Sequence, residues 1–504
     1  MTYSHARFVF VLLLAASLCP ALLVSIPAMV DYPNHLARMY LLSEIGAPDA
    51  NPFYQTAWAL YPNLAMDLII PAMARFVSVE TAARIFLLLS QVLIVTGSLA
   101  IERSVKGRMQ ISGFVALMFL YCLPFTFGFL NFEFGLGASL WGIAVMLMLN
   151  ERPWPLRLAV NTVIVAALFT AHFFALGIYG ATLGLIELQR AWDGKTAYRD
   201  TAWRLVVLAI PALILLAIMK FTGGGIGGDE SVWHLDFKPL WLFIILNAYN
   251  MPVSAATVCL LVGFMYFAFK HGVLTVERAG LWLAAGFAFL YVAIPSRLFG
   301  TAFVDLRMIA AAAFIVPAFI TLTAPTVRWR WAAIACAVGV TLPNLAVIYF
   351  VWLSYRADYA AMIASFQHLG RGALVLIGGS DAGDDPPLHD LASYPIYHSP
   401  TLGVHYAKAF VPDLFTMAGK QPIRPRPEYE RINTPESGPV PVGILVALAN
   451  GKTADVVPSY ISTWPRDFDF LYLLGPRIAN PLPNILQEVD SSRRFVLYKI
   501  KWTP

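Results

Sequence analysis

Charge is what this sequence has least of: only 13% of its 504 residues are Asp, Glu, Lys or Arg, while 59% are hydrophobic. A soluble chain of that length needs far more charge to cover its surface, so the composition argues for a membrane protein. The net charge of +5 is too mild to make a case for nucleic-acid binding. Cysteine is also scarce. Cys19, Cys122, Cys259 and Cys336 all lie in apolar segments, and the polar C-terminal region has none. That excludes a disulfide framework or a cysteine-based zinc site there. No internal repeat and no low-complexity tract is present.

What is there is a succession of apolar runs. The first, Phe8 to Val30, is longer than the roughly 7–15 residues of a signal-peptide core and lacks a small-residue cleavage site. Leu18 is too large for a lipobox ending at Cys19, so the run reads as a retained first span. Taking roughly 20 apolar residues per crossing, the sequence predicts about eleven spans. They lie at 8–28, 81–101, 111–129, 134–150, 156–171, 173–189, 203–221, 253–270, 279–295, 307–325 and 331–353. Basic loops then alternate to one side: Arg103/Lys106/Arg108, Arg152/Arg157, Arg190/Lys195/Arg199/Arg204, Lys270/Arg278 and Arg328/Arg330. With Arg7 that makes about 14 basic residues on one side against about 7 on the other before residue 354. Loops rich in Lys and Arg stay cytoplasmic, which puts the N-terminus inside and the C-terminus outside. The location expected is a bacterial inner membrane, with a C-terminal domain in the periplasm.

This alternation makes residues 156–189 cross twice, with a turn near Thr170-Ala171-His172. Each arm is only ~24 Å long against a ~30 Å apolar core, so the turn should be recessed and line a cavity. The same reasoning sets Asn131-Phe132-Glu133-Phe134 at the outer tip of the preceding hairpin. Segments 64–77 and 239–250 are apolar but too short to cross, and read as interfacial or re-entrant. From Ser354 the composition becomes that of a soluble domain, with strands expected at Ala373–Ile377, Phe468–Leu474 and Phe495–Ile500. The fold class expected is an all-α polytopic membrane domain over 1–353, followed by a soluble α/β domain over 354–504.

Candidate chemistry collects on the outer side. The first span ends in Asp31-Tyr32-Pro33-Asn34-His35, followed by an amphipathic stretch from Leu36 to Ile45 expected on the membrane surface. A partly desolvated Asp31, with the His35 imidazole nearby, is suited to take a proton from an acceptor hydroxyl. The alternative is that Asp31 only caps the surface helix. Glu133 stands in an otherwise charge-free hairpin, where an acid is expensive without a cavity or a partner. It either ligates a divalent cation, orients an acceptor, or is a satisfied interfacial residue. His172 is either a recessed structural histidine or a substrate ligand. The Gly-rich loop 223–238 offers Asp229, Glu230, His234 and Asp236 as substrate-binding or gating groups, or simply as a solvated acidic loop. Arg297 and Arg307 oppose the charge bias. They suit a phosphate at the membrane surface, with Asp305 holding one of them, unless they merely snorkel to headgroups.

Taken together these features resemble the GT-C superfamily of integral-membrane glycosyltransferases, which includes protein O-mannosyltransferases, lipid A aminoarabinose transferases and oligosaccharyltransferase catalytic subunits. The resemblance covers nearly the whole chain: an acid after span one (Asp31), a following surface helix, an acid in the second outer loop (Glu133), a long outer loop before span eight and an outer domain after the last span. The run Asp31 to His35 looks like a first-loop signature of bacterial GT-C-like proteins. The resemblance implies a polyprenyl-phosphate-linked sugar donor, a glycan, lipid or protein acceptor, Asp31 as base or acceptor-positioning group, and basic residues at the donor phosphate. The first loop carries one acid where O-mannosyltransferases carry a pair, and Glu133 is not part of an Asp-x-Asp pair. No cofactor is therefore required, and a divalent metal ion at Glu133 or Asp31 stays open.

Three other classes compete. A transporter predicts charges buried mid-span and an internal repeat; another outer-face lipid-substrate transferase or ligase would use the same loops; a non-catalytic subunit would tolerate loss of Asp31, Glu133 and Arg307.

Overall fold

The computed structural model describes residues 3–222, 231–380, 395–435, 437–451 and 458–502, and the chain is mostly helical. It divides into two compact units: one made of Met1–Leu22, Leu60–Met66 and Ile85–Tyr349, the other of Leu23–Ala59, Asp67–Arg84 and Phe350–Pro504.

Among the described residues, seven helices are long and apolar enough to cross a membrane: His5–Leu23, Val79–Lys106, Leu130–Met148, Trp154–Ala171, Tyr198–Phe221, Met251–Lys270 and Val327–His368. This is compatible with a multi-pass membrane protein. The other four expected spans are helices that are shorter or more polar. Pro124, one residue into a new helix, separates Ser112–Phe119 from Leu123–Phe127, because proline has no N–H to continue a helical ladder. Phe173–Trp192 is long enough, but its last turns carry Glu187, Gln189 and Arg190. Arg278–Ala293 and Val304–Ile315 have 16 and 12 residues. Short helices Ala65–Met73 and Lys238–Ile244 occupy the two segments expected not to cross.

Within the helical unit the expected turn falls at His172, which ends Trp154–Ala171 in an extended conformation and starts Phe173–Trp192. Asn63 and Asn131 fasten this turn. The Asn131 amide donates to the Asn63 carbonyl at 2.7 Å and accepts from the Met66 N–H at 2.8 Å. Asn63 Oδ1 in turn accepts from the Phe173 N–H at 3.0 Å, and the Leu64 N–H bonds the Thr170 carbonyl. Helices Val79–Lys106 and Leu130–Met148 lie in close contact. A Cβ on Gly137 would come within 2.6 Å of the Leu93 Cβ, the kind of approach that small residues permit between apolar helices.

The second unit is built on a five-stranded sheet in the order Val440–Pro441, Val375–Gly379, Phe470–Leu474, Phe495–Ile500, Leu486–Ser492. The first three strands are parallel and the last two pairings antiparallel. The central strand is buried along its whole length, which is why it reads as an unbroken apolar run. This unit also takes in 23–59 and 67–84 beside the C-terminal region. Strand Tyr54–Thr56 pairs with Ile423–Pro425, and the Arg38–Asp67 ion pair, 3.1 Å long, is shut away from solvent.

One expectation is corrected here. The stretch after Asp31 is a helix, Tyr32–Ser43, but ten of its 12 residues are buried rather than one face being exposed. It packs on the turns at Ser399–Leu402 and Gly403–Tyr406, so its polar residues are used for internal bonds.

The hairpin of the last two strands is tied to the long helix through Asp358, which bonds both Arg493, at 2.7 and 2.8 Å, and the buried Arg494, at 2.8 Å. Asp358→Asn deprives Arg494 of its carboxylate, at a cost of about 3–5 kcal/mol. The expected result is a lower unfolding midpoint and faster amide exchange in Leu486–Ile500; unchanged exchange there would refute this role.

Candidate functional site

Each unit gathers some of the residues singled out by the sequence. In the helical unit the central group is Arg307, two residues beyond Asp305 in the first turns of Val304–Ile315. Its Nη1 meets His172 Nε2 at 3.2 Å, and Nη2 donates to the Ala302 carbonyl at 3.3 Å. The guanidinium lies against three aromatic rings, 4.7 Å from the centre of Phe129, 5.0 Å from Phe132 and 5.2 Å from Phe174. Such contacts hold a cation by the ring quadrupole while excluding water. His172 Nδ1 faces the Phe174 N–H at 3.2 Å. Both ring nitrogens therefore face donors, although a neutral imidazole can accept at only one.

Glu133 completes this group. It sits in the first turn of Leu130–Met148, has no exposed surface, and neither carboxylate oxygen has a hydrogen bond among the described residues. Arg307 attracts it electrostatically. The backbone arrangement depends on Gly135, where a Cβ would fall 2.8 Å from the His172 Cβ and 2.9 Å from that of Ala175. Glu133, His172 and Arg307, spread over 175 positions of sequence, thus belong to one aromatic-walled cluster.

The other described candidates of this unit have contacts of their own. Asp305 is buried but does not hold an arginine: it pairs with Lys238 at 3.2 Å and accepts from Ser296 Oγ at 2.7 Å and the Leu306 N–H at 2.9 Å. Lys238 also caps the end of Arg278–Ala293 by donating to the carbonyls of Tyr291 and Ile294. Nothing local in the chain joins a lysine at 238 to that helix end, so the expected arginine partner is corrected to Lys238. Arg297 is exposed, and its backbone bridges Val232 at 2.9 and 3.0 Å. His234 is exposed, with its ring 6.2 Å from that of Phe237. Asp229 and Glu230 lie outside the described residues.

In the second unit Asp31 stands at the N-cap position of Tyr32–Ser43, yet makes no side-chain capping bond. Its carboxylate, 17% exposed, instead faces His398, with Oδ1 3.8 Å from Nε2. The other ring nitrogen of His398 is 3.9 Å from Asp413 Oδ2, so a nearly buried imidazole lies between two carboxylates. Phe415 packs edge-on against both His398 and His35 at 5.3 Å. Asn34 fixes the loop that carries Asp413: its amide donates to the Asp413 carbonyl at 2.9 Å and accepts from the Phe415 N–H at 2.8 Å. Burial lifts the Tyr397 phenol and pushes that of Tyr460 up to about 12, with the Asp413 carboxylate adding to both. Both hydroxyls therefore keep their protons.

His398 and Asp413 escaped the sequence reading, which named Asn34 only as part of the first-loop run. The available signal was slight: a histidine and an aspartate among aromatics and prolines, in Tyr397-His398-Ser399-Pro400 and Pro412-Asp413-Leu414-Phe415. Among the described residues no group of three or more His, Cys, Asp or Glu side chains is arranged to hold a metal ion. No protein-family model matches the chain, and no curated protein is significantly similar to it.

Gly135→Ala forces two rigid Cβ contacts apart and is expected to destabilise the protein by about 1–3 kcal/mol. Gly177→Ala, with nothing within 4 Å of the added carbon, should be neutral or stabilising. Thermal unfolding in detergent compares them; equal midpoints would show that the His172 turn is not closely packed.

Proposed function

We propose that the chain is a multi-pass membrane glycosyltransferase of the GT-C kind, crossing a bacterial inner membrane about eleven times, with its N-terminus cytoplasmic and residues 354–504 periplasmic. It moves a sugar from a polyprenyl-phosphate donor to a hydroxyl of a glycan, lipid or protein. Nucleotide sugars are not available outside the cytoplasm, so transfer on the outer face needs a donor carried by lipid.

The observation that carries this reading is the state of Asp31. It stands at the start of Tyr32–Ser43, keeps part of its surface open, and has the His398 imidazole 3.8 Å from its carboxylate. That setting suits a general base. The acceptor hydroxyl gives its proton to Asp31 as its oxygen forms the bond to the anomeric carbon. The bond from that carbon to the phosphate oxygen breaks, its electron pair stays on the phosphate, and the configuration inverts because no enzyme nucleophile intervenes. Arg307 and Arg297 are assigned to the phosphate charge, which grows as the bond breaks, so their attraction is strongest in the transition state. His172 orients Arg307, Glu133 balances its charge while no donor is present, and His35, Asp305, Asp229 and His234 are assigned to substrate contacts or their support. No step requires a metal ion.

Asp31→Asn should leave folding intact and lower transfer by about 10²–10⁴-fold, the usual contribution of a general base. The measurement is mass spectrometry of envelope lipids and glycans from a deletion strain complemented with either form. A sugar missing in the deletion, restored by the wild type and not by the variant, is the expected pattern; full restoration by a well-expressed Asp31→Asn protein would sink the proposal.

A further inference from the structure

Away from these clusters, three arginines of the helical unit lie near one buried carboxylate, which pairs with two of them. Arg157 opens the second turn of Trp154–Ala171, Arg190 closes Phe173–Trp192, and Arg204 lies in the second turn of Tyr198–Phe221. Glu187 Oε1 is 3.3 Å from Arg157 and 3.4 Å from Arg204. Asn150 Oδ1 accepts from Arg204 at 3.1 Å and also from Arg190. The nearest further anion is Glu151, 3.7 Å from Arg190, but its side chain is 84% exposed and so contributes little.

Two of these guanidinium groups thus pair with the buried Glu187, while that of Arg190 has only Asn150 and the exposed Glu151. Arg157 is only 9% exposed and its Nε has no hydrogen bond among the described residues. Excess positive charge in such a place is costly unless an outside anion offsets it. A cavity of about 20 Å³ opens among Asn150, Arg157, Glu187 and Arg190, with Leu183 and Ile186 on its apolar side. That is room for one water-sized atom, such as a single phosphate oxygen, with the rest of the ligand outside.

Aromatic residues fix the level at which this happens. Trp154 and Trp203, beside Arg157 and Arg204 in sequence, are about half exposed and pack edge to face at 5.9 Å. Trp192 and Tyr198 on the adjoining helix ends are 70% and 75% exposed. Exposed Trp and Tyr at helix ends mark the height of lipid headgroups. The geometry points to a binding site for an anionic phospholipid: one phosphodiester oxygen enters the cavity beside Arg157 and Arg190, with the charge of Arg204 close by through Asn150 and Glu187, and the acyl chains lie along the apolar helix faces. The site is independent of the glycosyl-transfer reading.

Native mass spectrometry of the full chain in detergent tests it, with phosphatidylglycerol, phosphatidylcholine and inorganic phosphate as probes. A phosphatidylglycerol adduct should survive activation that strips phosphatidylcholine. The double variant Arg190→Gln/Arg204→Gln should weaken that adduct about tenfold or more, the loss expected for one or two charged hydrogen bonds. Should the double variant not fold, Arg190→Gln alone must show the same direction of change. Equal retention of the two lipids, no effect of the substitutions, or displacement of the lipid by millimolar inorganic phosphate would each overturn the assignment.

Discussion

Taking a carboxylate out of water costs several kcal/mol even after the protein relaxes around it, and the described residues of the helical unit contain four that are almost wholly buried: Glu102, Glu133, Glu187 and Asp305. Three are compensated in full view. Glu102 takes Lys106 at 3.1 Å and the backbone N–H groups of Gln110, Ile111 and Ser112, which closes the start of the following helix. Glu187 ties three helices together through two arginines, and Asp305 fixes a helix start through Lys238. Each is therefore a joint of the bundle. Glu133 differs in kind: it has the field of a nearby guanidinium but no hydrogen bond among the described residues. Its compensation is thus the field of Arg307 alone among the described residues, which sets it apart from the other three.

The same contrast separates Asn34 from Asp31 in the second unit. Asn34 spends both ends of its amide on the backbone at 413 and 415 and is completely buried. Asp31 is three positions earlier, keeps some contact with solvent, and reaches toward an imidazole at a distance too long for a hydrogen bond. Residues close together in one short run thus differ in use: the buried Asn34 holds the loop that carries Asp413, and Asp31 keeps part of its carboxylate at the surface.

How much of this was legible from the sequence follows from the range of the interactions. Strands Phe470–Leu474 and Phe495–Ile500 and the turn at His172 were readable because apolar runs and charge alternation are local signals. The same signals overstated helix length at 111–129 and 307–325, where a proline and a short helical segment interrupt an apolar composition. Helix Tyr32–Ser43 was readable as a helix but not as a buried one, because its periodicity cannot tell a lipid surface from the inside of a domain. His398 and Asp413 were invisible for a plainer reason: nothing in a stretch of loop says which helix, more than 360 positions away, it will meet.

The long reach of those contacts bears on how the molecule is made. The helix at 32–43 packs on 399–406, and the strand at 54–56 pairs with 423–425. At ~5–20 residues per second on the ribosome, on the order of tens of seconds separate the emergence of the two halves. Throughout that interval Tyr32, Leu36, Met39 and Tyr54 are without the groups that will enclose them. Newly made chain must therefore be shielded, by a holding chaperone or by the bilayer surface itself, until translation is nearly complete. A nascent protein cut short before residue 399 would be left with a sticky segment it has no means of covering.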